Sequence, residues 1–370
     1  MNIIVAILIF TVIVVIHELG HFLLAKKNGV SVTEFSVGMG PRIITYAKTN
    51  TGKNMVRFFI SQKNFENCEE WEGKTKYSWK IFPVGGSCMM VGEDETVEDE
   101  NAFNKKGVWA RISVIFAGPF FNFILAFVLS MILIGSIGYD PSIVSSVDTG
   151  YPMSEAGVKK GDKILEINGE KISLAREIGA YFQFNPLTED SSLDITYERD
   201  GKIKSVTVQP KLDKELNRYR LGFGYATPYK KANPAEVVKY SFVEVKYWIK
   251  TTVQSLGQLI VGKIGKDEIA GPVGIVDMVG GVIEQSSEYG IKMVLLNVMN
   301  MCILLSANLG VMNLLPIPAL DGGRLVFLFI EALRGKPIDP EKEGMVHLIG
   351  LVALMIIMVL VMFNDISRLV

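Results

Sequence analysis

The stretch Val14-Val15-Ile16-His17-Glu18-Leu19-Gly20-His21-Phe22-Leu23-Leu24 places two imidazoles and a carboxylate near the end of an almost unbroken apolar run. Ionisable groups inside a segment of bilayer length are expensive and usually mark a site. On a helix, His17 and His21 stand at i and i+4, one above the other on one face, within reach of a single metal ion. The intervening Glu18 can then act as general base on a water that the metal activates. The flanks Ile-Val-Val-Ile and Phe-Leu-Leu-Ala leave no room for a solvated charged face, so the pattern reads as a metal site.

Two histidines do not complete a catalytic centre of this kind, which takes three protein ligands and keeps a fourth position for water. The remaining histidine, His347, opens the last apolar segment and is expected at the membrane interface. A better candidate is Asp321, in Asn313-Leu314-Leu315-Pro316-Ile317-Pro318-Ala319-Leu320-Asp321-Gly322-Gly323-Arg324. There an aspartate ends another apolar segment, and two prolines break the helix ahead of it. Irregular backbone at membrane depth is tolerated only where protein or a water-filled cavity receives it. Taken alone, an aspartate before Gly322-Gly323 reads as a turn residue; paired with His-Glu-x-x-His it reads as a ligand.

The elements that must position these groups follow from composition and hydropathy. Of the 370 residues, 49% are hydrophobic, the mean hydropathy is +0.30 and 21% are charged, which suggests spanning helices alternating with polar domains. A net charge of -1 argues against a nucleic-acid partner. Cys68, Cys88 and Cys302 form no C-x-x-C pair, so neither a disulfide framework nor a cysteine-built metal site is expected. Four stretches are long enough to span: 1–25, 108–137, one within 291–335, and 345–366. No basic n-region or A-x-A-like site marks the first as a cleaved leader. Lys26, Lys27, Arg42, Lys105, Lys106, Arg111, Arg324, Arg334 and Lys336 flank the segments on what the positive-inside rule makes the cytoplasmic side. Both termini and the long region from 138 to 290 are then extracytoplasmic.

With both motifs on one chain, the sequence resembles the site-2 proteases, the intramembrane zinc metalloproteases, in particular the bacterial type with one PDZ domain. His17, Glu18 and His21 fit the family's H-E-x-x-H, and Asn313 to Gly322 fit its N-x-x-P-x-x-x-L-D-G. The resemblance implies that His17, His21 and Asp321 ligate Zn2+, that Glu18 is the catalytic base, and that Asn313 helps position substrate or transition state. The implied fold is a polytopic α-helical membrane protein of four transmembrane helices in the cell membrane. It would carry a membrane-associated β-hairpin on the cytoplasmic side, near the active site, and an inserted extracytoplasmic α+β PDZ domain. The implied activity is endoproteolysis within the spans of single-span membrane proteins. These would already have been trimmed by an upstream site-1 protease, and would include anti-sigma factors and remnant signal peptides, met in membrane lipid.

Further segments fit that scheme. Within the cytoplasmic region 26–107, Trp79 to Val91 reads as two short strands around Gly85-Gly86, an edge to which a substrate strand could be added. Gly38-Met39-Gly40-Pro41 reads as a turn. In the second span, Gly118-Pro119-Phe120-Phe121-Asn122 suits close helix packing and a local break, with Asn122 free to bond to the site or to join helices. Residues 138–227 resemble a PDZ domain, carried by Ala156 to Gly169 and by alternation in Leu193 to Tyr197 and Val206 to Val208. No glycine-rich carboxylate loop is evident, which favours a size filter over capture of a free C-terminus. Residues 228–290 suit a linker with interfacial helices, notably around Tyr247-Trp248-Ile249-Lys250. Two rival readings are a membrane-anchored zincin cutting soluble or misfolded chains and a metal-ion transporter. The first would take a glutamate in a following soluble helix as third ligand; the second would need neither Glu18 nor a PDZ domain.

Overall fold

The structure, a computed structural model, describes residues 2–93, 97–263, 265 and 270–369. The first half runs α1 (Asn2–Lys27), β1 (Val32–Lys48), β2 (Asn54–Phe58), α2 (Gln62–Glu66), β3 (Lys76–Met90), α3 (Val108–Ile137), β4 (Ser146–Val147), α4 (Pro152–Glu155), β5 (Lys163–Ile167), β6 (Glu170–Lys171) and α5 (Ala175–Phe184). There follow β7 (Leu193–Arg199), β8 (Lys202–Val208), β9 (Lys211–Asp213), β10 (Arg218–Arg220), β11 (Phe223–Gly224), α6 (Pro234–Ile260), α7 (Pro272–Ser287), α8 (Ile291–Asn313), α9 (Asp321–Arg334) and α10 (Pro340–Leu369). Among the described residues, α1, α3, α8 and residues Glu341–Arg368 of α10 are long and apolar enough to cross a membrane. The chain divides into two compact units, Met1–Leu129 with Gly262–Val370, and Ser130–Val261.

In the first unit, α1 is an unbroken apolar helix closed by Lys26 and Lys27, cations that suit the negative end of the helix dipole. Lipid gives two helices no hydrophobic reason to associate, so close van der Waals contact must hold them together. Gly20 supplies it: a Cβ there would lie 2.3 Å from the Ala117 carbonyl oxygen of α3. At one end of the unit Ala6, Ile9 and Ile13 of α1 pack with Val279 and Ile283 of α7 and Met301 of α8. At the other end Ala25, Val30, Val32 and Met90 pack with Val114, Ile115, Leu325 and Leu328. The N-terminus of α7 is capped from α10, where the buried Asp365 carboxylate accepts the Gly271 and Gly274 amides at 3.1 and 2.8 Å.

Between α1 and α3 lies a sheet of order β2-β1-β3. Both long strands fold back on themselves. Lys76–Trp79 lies opposite Glu34–Val37 and also opposite Ile44–Ala47, while Gly86–Met90 lies opposite Val32–Val37. Residues 38–41, read above as a turn, belong to β1. Gly38 and Gly40, at φ +85° and +87°, bend the strand without ending it, a conformation glycine adopts at no steric cost. Met39 opposes Phe82 at the tip, and Thr11 Oγ1 of α1 donates to the Pro83 carbonyl. Inside the sheet the fully buried Glu34 accepts two bonds from Arg42, at 2.7 and 2.9 Å, with Lys80 at 3.5 Å. Burial alone would raise the Glu34 carboxyl; the Arg42 guanidinium overrides it and holds the group below its ordinary value. All three cysteines are free thiols. The range 291–335 contains two helices, because Pro316 and Pro318 forbid a continuous one between α8 and α9.

In the second unit, the last residues of α3 lead into a four-stranded sheet of order β6-β5-β7-β8. Val144, Met153, Ile164, Ile167, Ile178, Ile195 and Tyr197 form its core with α5. The alternating burial of Leu193, Ile195 and Tyr197 is the period of a strand with one covered face. Asn168, at φ 49°, and Gly169 make the turn between β5 and β6. Asn233, Pro234 and Glu236 start α6 as cap, N1 residue and capping-box partner. Arg176 then joins α5 to α6, bonding Asp140 and the buried Glu244, whose carboxylate also accepts a hydrogen bond from the Trp248 indole N–H.

Candidate metal centre

The i, i+4 spacing on α1 sets His17 and His21 edge to face, ring centroids 4.8 Å apart, each only 7% exposed. Their Nε2 atoms lie 3.1 Å from one another. Asp321 Oδ2 is 3.1 Å from His17 Nε2 and 3.5 Å from His21 Nε2. The three atoms form a triangle with sides close to about 3.3 Å, the edge of a tetrahedron whose ligand bonds are about 2.0–2.1 Å. Among the described residues, this is the cluster of histidine, cysteine and acidic groups able to hold an ion. Two imidazole lone pairs and a carboxylate oxygen facing one another without a cation would repel, and Asp321 Oδ2 is buried with no hydrogen-bond partner. The donor set fits a zinc ion.

Asp321 reaches this place through the broken segment after α8. Ala319 takes the left-handed conformation, φ 76°, and its amide donates to His347 Nδ1 at 2.9 Å. His347 thus supports the loop and does not join the triangle. Asp321 is the first residue of α9, with Leu320 as N-cap. The next two residues must be glycine, since a Cβ on Gly322 would lie 2.1 Å from the Leu315 carbonyl oxygen, and one on Gly323 2.4 Å from that of Ile317. Asn313 is the last residue of α8 and half-buried.

A third helix backs the imidazoles. His21 Nδ1 meets the Val114 carbonyl at 2.9 Å, a contact in which the ring must be the donor, so its proton is fixed at Nδ1 and Nε2 keeps its lone pair. One turn on, Gly118 leaves the space the rings fill, and a further turn on Asn122 lies 3.3 Å from His17 Nδ1. Residues 114, 118 and 122 form one stripe of α3 facing the site. A backbone carbonyl has no signature in the sequence, so the Val114 contact could not have been found there; the four-residue spacing of Gly118 and Asn122 is the trace it leaves.

Glu18 is half-buried beside the sheet: a Cβ on Gly86 would lie 3.4 Å from its Cγ. Gly86 therefore borders the site, whereas Gly85, at φ 80°, turns toward Met39. Gly86–Met90 is the end of the sheet, and among the described residues no further strand pairs with its outer edge.

The model of peptidase family M50 matches residues 5–61 and 63–357. A chain of Clostridium acetobutylicum is 35% identical over 367 residues, covering 99% of this chain and 97% of its own length. The regulator of sigma-W protease RasP of Bacillus subtilis is 34% identical over 425 residues, covering 98% of this chain and 97% of its own. Among solved structures, a PDZ domain of an SdrC-like protein from Listeria monocytogenes is 23% identical, with a TM-score of 0.20, covering 23% of this chain and 86% of that one.

Proposed function

Since the chain belongs to peptidase family M50, the site-2 type of zinc metalloprotease, we propose that His17, His21 and Asp321 hold its zinc and that Glu18 is the general base of peptide-bond hydrolysis. The observation that carries this reading is the triangle of Nε2, Nε2 and Oδ2 at tetrahedral spacing, with Glu18 one residue from His17 and beside Gly86. When bound, the zinc supplies Lewis acidity to a water and to the scissile carbonyl. Glu18 takes up the proton of the attacking water and passes it to the leaving nitrogen. The Gly86–Met90 edge receives the substrate as an added strand, which holds a former helix extended before Glu18. Asn313 assists in positioning it.

The Bacillus subtilis relative carries the name of a regulator of sigma-W. On that likeness, the substrates are single-span membrane proteins of the anti-sigma type, cut first by another protease. On the charge pattern, the metal centre lies near the cytoplasmic face and both termini outside, with residues 138–227 an extracytoplasmic PDZ domain acting as a size filter. The test uses purified full-length protein and a single-span substrate lacking its ectodomain, with cleavage mapped by mass spectrometry. Zinc in both wild type and Glu18→Gln, with cutting inside the span by wild type alone, supports the reading. Equal cleavage by the two sinks it.

A further inference from the structure

We infer that Asn122 is a positioning residue of the metal centre: its side-chain oxygen accepts the Nδ1 proton of His17 and so leaves His17 Nε2 facing the ion. The inference rests on the reading of His17 as a zinc ligand. Asn122 is fully buried, and its amide lies 3.3 Å from His17 Nδ1. With the amide nitrogen turned to the ring, Oδ1 is buried without a partner. The two ends of an amide have the same shape, and the bonding network decides which way round it sits. Half a turn brings Oδ1 to the ring nitrogen, where it can accept the Nδ1 proton.

That choice is coupled to the metal. A neutral imidazole carries one proton. With the proton on Nδ1, the contact to Asn122 is N–H···O, and Nε2 presents a lone pair toward His21 and Asp321. With the proton on Nε2, it points at Asp321 Oδ2, 3.1 Å away, and no ion can bind there. His21 meets the same requirement through Val114, so α3 sets both tautomers from one stripe, with Gly118 between. Joining helices does not account for the side chain. The bond to α8 runs from Ser306 Oγ to the backbone carbonyl of Asn122, at 2.8 Å, and any residue would supply it.

The experiment is zinc competition against a fluorescent chelator on the purified full-length chain, comparing wild type, Asn122→Leu and Asn122→Asp. Leucine keeps the bulk without an acceptor; aspartate keeps the acceptor. Zinc affinity should fall on the order of 10–100-fold in Asn122→Leu. It should stay near wild type in Asn122→Asp, with similar melting of all three metal-free proteins. Wild-type affinity in Asn122→Leu, or equal losses in both variants, overturns the inference. The chain has only three histidines, so nitrogen-15 histidine spectra of the zinc-loaded wild type decide the matter even if Asn122→Leu does not fold. A proton on His17 Nδ1 supports the inference, and an unprotonated Nδ1 overturns it. Absence of zinc binding by the wild type would bring down the ligand reading itself, a result distinct from either.

Discussion

Gly118 of α3 stands directly against His21 of α1: a methyl group in place of its hydrogen would lie 2.3 Å from His21 Nε2 and 2.8 Å from His17 Cε1. The contact inverts an ordinary rule. Glycine inside a helix normally costs about 0.5–1 kcal/mol relative to alanine. Here the overlap outweighs that gain, and it falls on the ring atoms whose positions define the metal centre.

Gly118→Ala should therefore weaken zinc binding by about 10–100-fold as the rings swing off the methyl, while overpacking costs the metal-free protein at most about 1–3 kcal/mol. Gly20→Ala should behave oppositely. Its methyl meets the Ala117 backbone oxygen, which cannot swing aside, so thermal stability should fall first. Chelator competition and thermal scans on both variants check the pair.

Arg42→Met should be among the most damaging changes outside the metal centre. It leaves Glu34, fully buried, without its bidentate partner, and such losses cost about 3–5 kcal/mol. Adding Glu34→Gln should recover part of the loss. Denaturant melts that show the double variant no more stable than Arg42→Met would refute this account of the pair.

Gly86→Val tests the sheet edge separately from the metal. The new side chain would press on Glu18 Cγ at 3.4 Å and on the Ser36 carbonyl at 3.0 Å. Cleavage should drop on the order of 10–100-fold, as misplacement near a reacting centre does. Zinc content should not change. A variant that loses its zinc would place the fault in the metal centre instead.

Acid should loosen the Ser130–Val261 unit in a defined window. The Arg220 guanidinium, with the Leu216 amide and the Tyr151 hydroxyl, holds Asp213 down at about 2 against an ordinary 3.8. A depressed carboxyl contributes its stability above the unfolded value and loses it as pH falls through the folded one. Hydrogen-exchange protection factors in this unit, each taken against the intrinsic rate at the same pH, should therefore fall as pH drops from about 4 toward about 2. In Asp213→Asn that dependence should be much weaker.

Legibility in the sequence followed periodicity. His17, Glu18 and His21 stood out because ionisable groups at helical spacing in an apolar run have few other uses. Asp321 stood out because two prolines announced irregular backbone at membrane depth. Leu193, Ile195 and Tyr197 showed a strand by alternation. The doubled-back pairing of β1 and β3 could not be read, because register depends on contacts between Val37 and Gly86, or Met39 and Phe82, that lie far apart in the chain. The same holds for the Val114 carbonyl, which belongs to no residue type, and for Asp365 capping a helix that begins nearly a hundred positions earlier.

The clustering of His17 and His21 with Asp321 has a consequence for biosynthesis. Three hundred positions separate His21 from Asp321, and the whole of Ser130–Val261 is translated between them. A ribosome-bound chain that has inserted α1 and α3 owns the two imidazoles and the carboxylate of Glu18, yet it lacks the Asp321 oxygen that completes the triangle. Until α9 has been translated, a nascent chain therefore lacks one of the three groups that the proposed zinc site needs.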